Sequence, residues 1–307
     1  MTPLLELLAS SPAWFTSTCL VLGLLVGSFL NVVIYRLPKM LEREWRQQYA
    51  DLAATDARDG APPSAPPPFN LIRPRSACPN CKAPITAVQN VPVISYLVLR
   101  GRCAQCGTAI GIRYPLVEAL TGILTAAVAV KYGYGWQTGA AIVLTWFLIA
   151  LTFIDIDHQL LPDNLTLPLL WIGLGLSLWD PSSGVPVPVD VRSSIVGAIA
   201  GYLSLWSVYH LFRLLTGKEG MGYGDFKLFA ALGAWMGWKM LLPIVMIAAI
   251  VGSVVGITLM AVRGRSRATP IAFGPFLAAA GWLMLMFGHE LLNSYLSLFP
   301  ATASVNP

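Results

Sequence analysis

Long apolar runs follow one another along this chain with little between them, and that pattern limits the fold more than any other feature. A helix needs about 20 apolar residues to cross a bilayer. Apolar runs approaching or exceeding that length fall at residues 14–35, 115–132, 138–154, 164–180, 194–215, 226–238, 240–262 and 270–288. A soluble core has no use for so many in succession. Composition agrees: 56% of residues are hydrophobic and 11% are charged, where a soluble domain carries about 25% charged residues. The expected fold class is an all-α polytopic membrane protein of about eight transmembrane helices. The sixth run is short, and Lys239 is the only charge between it and the seventh, so these two are expected as a tight pair.

Positive charge orients such a chain, because Lys and Arg collect in cytoplasmic loops. Eleven Lys/Arg lie from Arg36 to Arg113; Arg213 and Lys218 form a second group, and Arg263, Arg265 and Arg267 a third. With eight crossings all three groups share one side, and the opposite loops hold only Lys131, Arg192 and Lys239. The net charge of +5 therefore reads as a topology signal. Nucleic-acid binding is not expected, since the charges form no stripe with interleaved aromatics. The first residues, MTPLLELLASSPAWF, lack a basic segment and contain Glu6; they read as an uncleaved anchor with its N-terminus outside, not a signal peptide.

Four segments follow from this reading: a first transmembrane helix over 1–35, a cytoplasmic loop over 36–113, a seven-helix membrane domain over 114–290 and a tail over 291–307. Within the loop, an Ala/Pro-rich stretch reads as a flexible linker, and a compact segment over 70–113 holds four of the five cysteines. They are CPNC and CAQC, that is Cys78, Cys81, Cys103 and Cys106. Two C-x-x-C pairs bring four thiolates together from two tight turns, which is how a closed tetrahedral zinc site is built. A reducing cytoplasm disfavours the disulfide alternative, and a thioredoxin-like redox pair is the third reading. The apolar residues between the pairs suggest a small β-rich knuckle. A closed site has no open coordination position, so its job is folding and docking. Cys19 reads as a small buried apolar residue of the first helix.

Carboxylates near membrane helices need a reason, because a charge at a helix centre costs about 2.5–3.5 kcal/mol on insertion scales. Two places stand out: TFIDIDHQLLPDN, with Asp155, Asp157 and Asp163, and GMGYGDF, with Asp225. Both fall at helix ends on the same side, so they can meet. Two carboxylates at one site share a proton, supplying a general acid and a general base that activate water against a peptide bond. The competing chemistries are a metal–carboxylate site with His158 as an extra ligand, and a proton or cation relay in a transporter. The plain alternative is that Asp163 and Asp225 cap helices; it suits Asp163 but leaves Gly220, Gly222 and Gly224 unexplained. Those glycines expose backbone, permit positive φ and allow close approach of another chain, as an extended peptide beside Asp225 would require. Asp155 and Asp157 face nearly opposite sides of a continuing helix, so only one of them can point at Asp225, and spacing does not choose between them.

The ordered set GSFLNVVIYRLP, paired C-x-x-C, RYPLVEALTG, DIDHQLLPD and Gly222-Tyr223-Gly224-Asp225 resembles the type IV prepilin peptidases, a family of GxGD aspartic proteases, over about residues 20–290. The resemblance implies catalysis by Asp155 and Asp225, with Asp157, Asp163, Gly222 and Gly224 in supporting roles. It implies cleavage of prepilin or pseudopilin leaders after a glycine at the cytoplasmic face of a bacterial inner membrane. The paired cysteines match the long form of the family, for which it further implies N-methylation of the new terminus with S-adenosylmethionine; no residue is assigned to that cofactor, and no glycine-rich nucleotide fingerprint is present. A presenilin-like protease shares GxGD but leaves the cysteines unexplained. A non-enzymatic zinc-knuckle scaffold of a secretion or pilus apparatus is the alternative from another class. A transporter is disfavoured, because the acids sit at helix ends and no internal repeat is visible.

Overall fold

The computed structural model describes residues 3–56, 69–179, 189–263 and 271–298. The Ala/Pro-rich linker, most of the Pro-rich loop after Trp179, Arg265, Arg267 and the last nine residues lie outside them. Among the described residues there are ten α-helices and only isolated β-bridges. The chain divides into two compact units, Met1–Tyr134 and Gly135–Pro307.

The first unit is built on α2 (Pro12–Asp56) and α4 (Arg113–Tyr132), preceded by the short α1 (Pro3–Ser10). The sequence places the end of the first helix at residue 35, yet α2 continues to Asp56. The polar extension is rich in Leu, Glu, Arg, Gln and Ala, which propagate a helix well, and Arg46 pairs with Glu42 one turn away at 2.6 Å. Small residues bring α2 and α4 together: a Cβ on Gly23 would meet Thr125, and one on Gly27 would reach the Glu118 backbone at 2.7 Å. Without a hydrophobic drive between helices in lipid, such small-residue seams supply the packing. Asn31 donates to the Tyr114 carbonyl at 3.0 Å. Arg36, buried, donates to the Asn70 carbonyl at 2.9 Å. Cys19 is buried as expected.

Between α2 and α4 lies the cysteine segment with α3 (Ile94–Val98). This segment is not the β-rich knuckle that its sequence suggests. Among the described residues the only extended pairings are the isolated bridges Ala77–Pro84 and Arg102–Ala109, and the apolar run between the cysteine pairs forms a 3-10 turn and α3. The two cysteine turns hold their extended residues by one pair of bonds each, so no ladder propagates.

The second unit has a central helix, α8 (Tyr223–Met236), with α6 (Asp163–Leu176), α7 (Val191–Thr216) and α10 (Gly274–Leu298) against it. α5 (Trp136–His158) and α9 (Leu241–Arg263) pack on α10. From Phe226 to Met236 all but Lys227 of α8 is buried, so its apolarity serves protein packing on every side. Gly197 and Gly201 of α7 meet the backbone of α8 at Gly233 and Phe229. Trp235 lies over Gly173 and donates to the Leu169 carbonyl at 2.8 Å. Ser194 donates to the Ala234 carbonyl at 2.6 Å.

Each of the eight apolar runs becomes a helix. Length and composition qualify five of them to cross a membrane: Pro12–Leu52, Arg113–Tyr132, Trp136–His158, Val191–Thr216 and Trp238–Val262. α6 and α8 have 14 residues each, about 21 Å at 1.5 Å per residue, and the described apolar part of α10 is Gly274–Gly288. The chain is a multi-pass membrane protein in which α8, one of its two 14-residue helices, is buried along nearly its whole length.

Candidate functional site

α5 carries Asp155 in its last turn and ends at Gln159, a left-handed cap with φ of 51° whose amide bonds back to the Asp155 carbonyl. Asp155 is 5% exposed and Asp225, in the first turn of α8, is 7% exposed. The two carboxylates are near enough to interact electrostatically. Oδ2 of Asp155 accepts the Gly274 N–H at 3.0 Å, while Oδ1 of Asp225 is buried without a hydrogen-bond partner. Burial disfavours charge, and so does a second carboxylate nearby, so at most one of the two is cheaply ionised. Such a pair can hold a proton on one member and take one up on the other.

Asp157 and His158, both exposed, follow Asp155 on α5. Asp163 is the first residue of α6, after the N-cap Pro162; both its oxygens accept from Lys227 Nζ, at 2.6 and 2.7 Å. Lys227 lies two residues beyond Asp225, so this ion pair ties the start of α6 to the start of α8.

The glycines divide by role. Gly217 ends α7 with φ of 70°. Positive φ is found at none of Gly220, Gly222 or Gly224, which corrects that part of the sequence argument. Close approach is what they provide. A Cβ on Gly224 would lie 2.6 Å from Cβ of Leu161, whereas one on Gly222 would meet only Oδ2 of Asp225, at 3.7 Å. Gly224 is thus explained by packing, and Gly222, the N-cap of α8, is open beside the carboxylate.

Gly274 was not legible as a site residue. Its N–H is one of the donors a helix start leaves without an intrahelical partner, and it reaches back across the chain to Asp155. A Cβ there would fall 2.6 Å from Oδ2 of Asp155 and 3.0 Å from Cδ1 of Leu161. The signal was IAFGPF, a glycine and a proline at the start of an apolar run, which reads locally as no more than a helix start.

In the first unit the four cysteine sulfurs lie within 4.8 Å of one another. Cys78 and Cys106 are 3.8 Å apart, Cys81 and Cys103 4.0 Å. Sulfurs at the corners of a tetrahedron with bonds of about 2.3 Å stand about 3.8 Å apart, and all five cysteines of the chain are free thiols. The two halves repeat each other. Cys78 N and Cys103 N donate to the carbonyls of Ala83 and Thr108, and Lys82 N and Gly107 N to those of Cys78 and Cys103. Lys82 and Gly107, at matching positions, both have positive φ. Asn80 donates to Thr108 Oγ1 at 2.8 Å, and the Cys106 thiol donates to the same oxygen at 3.2 Å. The Thr108 hydroxyl and amide lower the Cys106 thiol to about 6. Despite the Ala83 amide, burial and the three neighbouring sulfurs push Cys81 up to about 11. The cluster can hold a metal ion.

A cavity of about 460 Å³ between α9 and the start of α10 is lined by residues such as Ala249, Gly252, Ser253, Met260, Phe273 and Phe276. Its lining has no carboxylate or charged group, so it does not fit a charged sulfonium nucleoside.

An all-helical, multi-pass membrane protein with two juxtaposed buried carboxylates at helix ends and a four-thiol knuckle is the class defined so far. Residues 21–132 match the bacterial peptidase A24 N-terminal domain and residues 142–257 the type IV leader peptidase family; the chain belongs to that family. It is 51% identical over 97% of its length to the whole of a prepilin leader peptidase/N-methyltransferase of Aeromonas hydrophila. A protein of that name in Pseudomonas aeruginosa is 49% identical over 96% of this chain and 98% of its own. One in Neisseria gonorrhoeae is 50% identical over 86% and 87%. No solved structure matches the chain.

Proposed function

We propose that this chain is a membrane aspartic endopeptidase that removes the leader of type IV prepilins and pseudopilins, and then N-methylates the new terminus with S-adenosylmethionine. The observation that carries the proteolytic half is the meeting of Asp155 and Asp225 as buried, interacting carboxylates with one oxygen unpartnered. The relatives' shared name, prepilin leader peptidase/N-methyltransferase, supports both halves, and it alone supports the methyl transfer.

Asp155 accepts the Gly274 N–H, whereas Asp225 keeps one buried oxygen without a partner, so Asp155 has the better support as an anion, since ionised acceptors make the stronger hydrogen bonds. It takes a proton from water as the water oxygen adds to the scissile carbonyl carbon. Asp225 gives its proton to the carbonyl oxygen, forming a neutral gem-diol. Collapse returns the diol proton to Asp225 while Asp155 passes its proton to the departing amine. Gly222, without a side chain beside Asp225, leaves room for an extended substrate to approach.

Cys78, Cys81, Cys103 and Cys106 would hold a structural zinc, which when bound fixes the two cysteine turns together. The protein sits in the bacterial inner membrane, and the excess of Lys/Arg in the knuckle segment favours its lying on the cytoplasmic side. Purified protein in detergent, given a prepilin and S-adenosylmethionine, is expected to release the leader and add one methyl group to the product, both read by mass spectrometry. An intact prepilin would overturn the proposal and favour the scaffold.

A further inference from the structure

The four-cysteine knuckle presents an apolar face that nothing in the described chain covers. Ile94, Leu97 and Val98 of α3 are 60%, 67% and 75% exposed. Leu97 and Val98 stand three and four residues from Ile94, so the three share one side of α3, and Val91, also exposed, precedes the helix. The other side is occupied: Pro92 is buried, and Tyr96 packs on Gly101 and donates to the Ile110 carbonyl.

The height of this face is set by one hydrogen bond. Val93 N–H donates to Oε2 of Glu118 at 2.8 Å. Glu118 lies about one and a half turns inside α4. α4 has 20 residues, about 30 Å, which matches the hydrocarbon thickness of a bilayer, so its first turns stand at the membrane boundary. Tyr114, 48% exposed in the first turn of α4, is the residue type that collects at that boundary. Exposed Ile112 and Leu116 continue the apolar surface onto the span itself. Arg100 and Arg102, just beyond α3, are exposed as well.

We infer that the Ile94, Leu97 and Val98 face of α3 is a membrane-surface anchor: it beds the knuckle in the interfacial layer of the bilayer that α4 crosses, with Arg100 and Arg102 against anionic lipid headgroups. Apolar side chains in the interface with basic residues beside them are the pattern by which short segments bind anionic membranes. The depth imposed by Glu118 makes lipid the occupant, because a face held at the level of the first turns of a span meets headgroups before it meets a soluble partner. The knuckle is then a foot resting on the bilayer.

Photo-crosslinking tests this without reference to activity. p-Benzoylphenylalanine would be placed singly at Leu97 and at Val98 of the full chain, reconstituted in phosphatidylethanolamine–phosphatidylglycerol vesicles and irradiated. Val130, exposed within α4, serves as the lipid-contacting reference, and Asn80, exposed on the knuckle, as the water-facing one. Retained metal content of the cysteine cluster shows that each variant has folded. Lipid adducts at 97 and 98 are expected at yields close to position 130 and several-fold above position 80, and to fall when phosphatidylglycerol is omitted. Adducts to protein, whether this chain, a second copy or an added prepilin, would overturn the inference, as would yields no higher than at position 80.

Discussion

The amide of Gly274 lies 3.0 Å from Oδ2 of Asp155, joining the first turn of α10 to the last turn of α5 at the candidate carboxylate pair. The same glycine has no room for a side chain, since Asp155 and Leu161 fill the space where a Cβ would go. Gly274→Ala should therefore displace the Asp155 carboxylate while leaving Gly222 and the substrate path untouched. The expected result is a fall in kcat of about tenfold or more, the equivalent of roughly 1.4 kcal/mol in the barrier, with KM little changed. Steady-state cleavage of a prepilin peptide would measure it. An unchanged kcat would remove Gly274 from the site.

If Asp155 and Asp225 share one proton, Asp155→Asn and Asp225→Asn should each abolish cleavage with the protein still inserted in the membrane. Asparagine keeps size and hydrogen bonding but cannot exchange the proton. Groups that act as a unit fail as a unit, so the double variant should be no worse than either single one. Asp157→Asn and Asp163→Asn should retain activity. Wild-type rate should fall on both sides of an optimum pH, the two limbs belonging to the pair. Loss of activity in Asp157→Asn with none in Asp155→Asn would move the partner two residues along α5.

What the sequence made legible is uneven, for physical reasons. Apolar length and the two C-x-x-C pairs are local signals, and the helices of the eight apolar runs and the four-sulfur cluster follow from them directly. The carboxylates announced themselves because charge beside apolar sequence is costly. Burial on all sides of α8 was not visible, since a short core helix and a short span have the same composition. Glu118 and Arg36 were hidden for the reverse reason: each is one ordinary charge near the edge of an apolar run, and its partner, Val93 N–H or the Asn70 carbonyl, is a backbone group with no signature of its own. Gly274 combines both difficulties, a residue without a side chain acting through its amide on a group more than a hundred positions away.

The knuckle should carry one zinc per chain, measurable by elemental analysis of the purified protein. Ligand thiols must lose their protons to bind metal. Cys106, already lowered to about 6, gives up its proton readily near neutral pH, whereas Cys81, pushed up to about 11, must be deprotonated by the metal itself. Zinc affinity should consequently weaken as pH falls and protons compete for the sulfurs. Cys81→Ser and Cys106→Ser, one from each pair, should each empty the site. Metal-free protein with four free thiols and full activity would defeat this reading.

The ion pair between Lys227 and Asp163 offers a measure of how firmly the start of α6 is tied to that of α8. Lys227 and Asp163 side chains are 27% and 53% exposed, and pairs this open to solvent contribute about 0.2–1 kcal/mol. Both carboxylate oxygens are engaged, which places this pair toward the upper end. Lys227→Ala and Asp163→Ala should each cost stability of that order in thermal unfolding, and the double variant should cost less than their sum, because the second removal finds the pair already broken. Exchanging the charges, with Lys227→Asp and Asp163→Lys together, should recover part of the coupling. For cleavage the effect should be small, at most about fivefold on kcat even if the full ~1 kcal/mol appeared in the barrier, since the tie acts on Asp225 only through the helix that carries it. A much larger loss in Lys227→Ala, not recovered by the exchange, would show that the ammonium group itself meets the substrate.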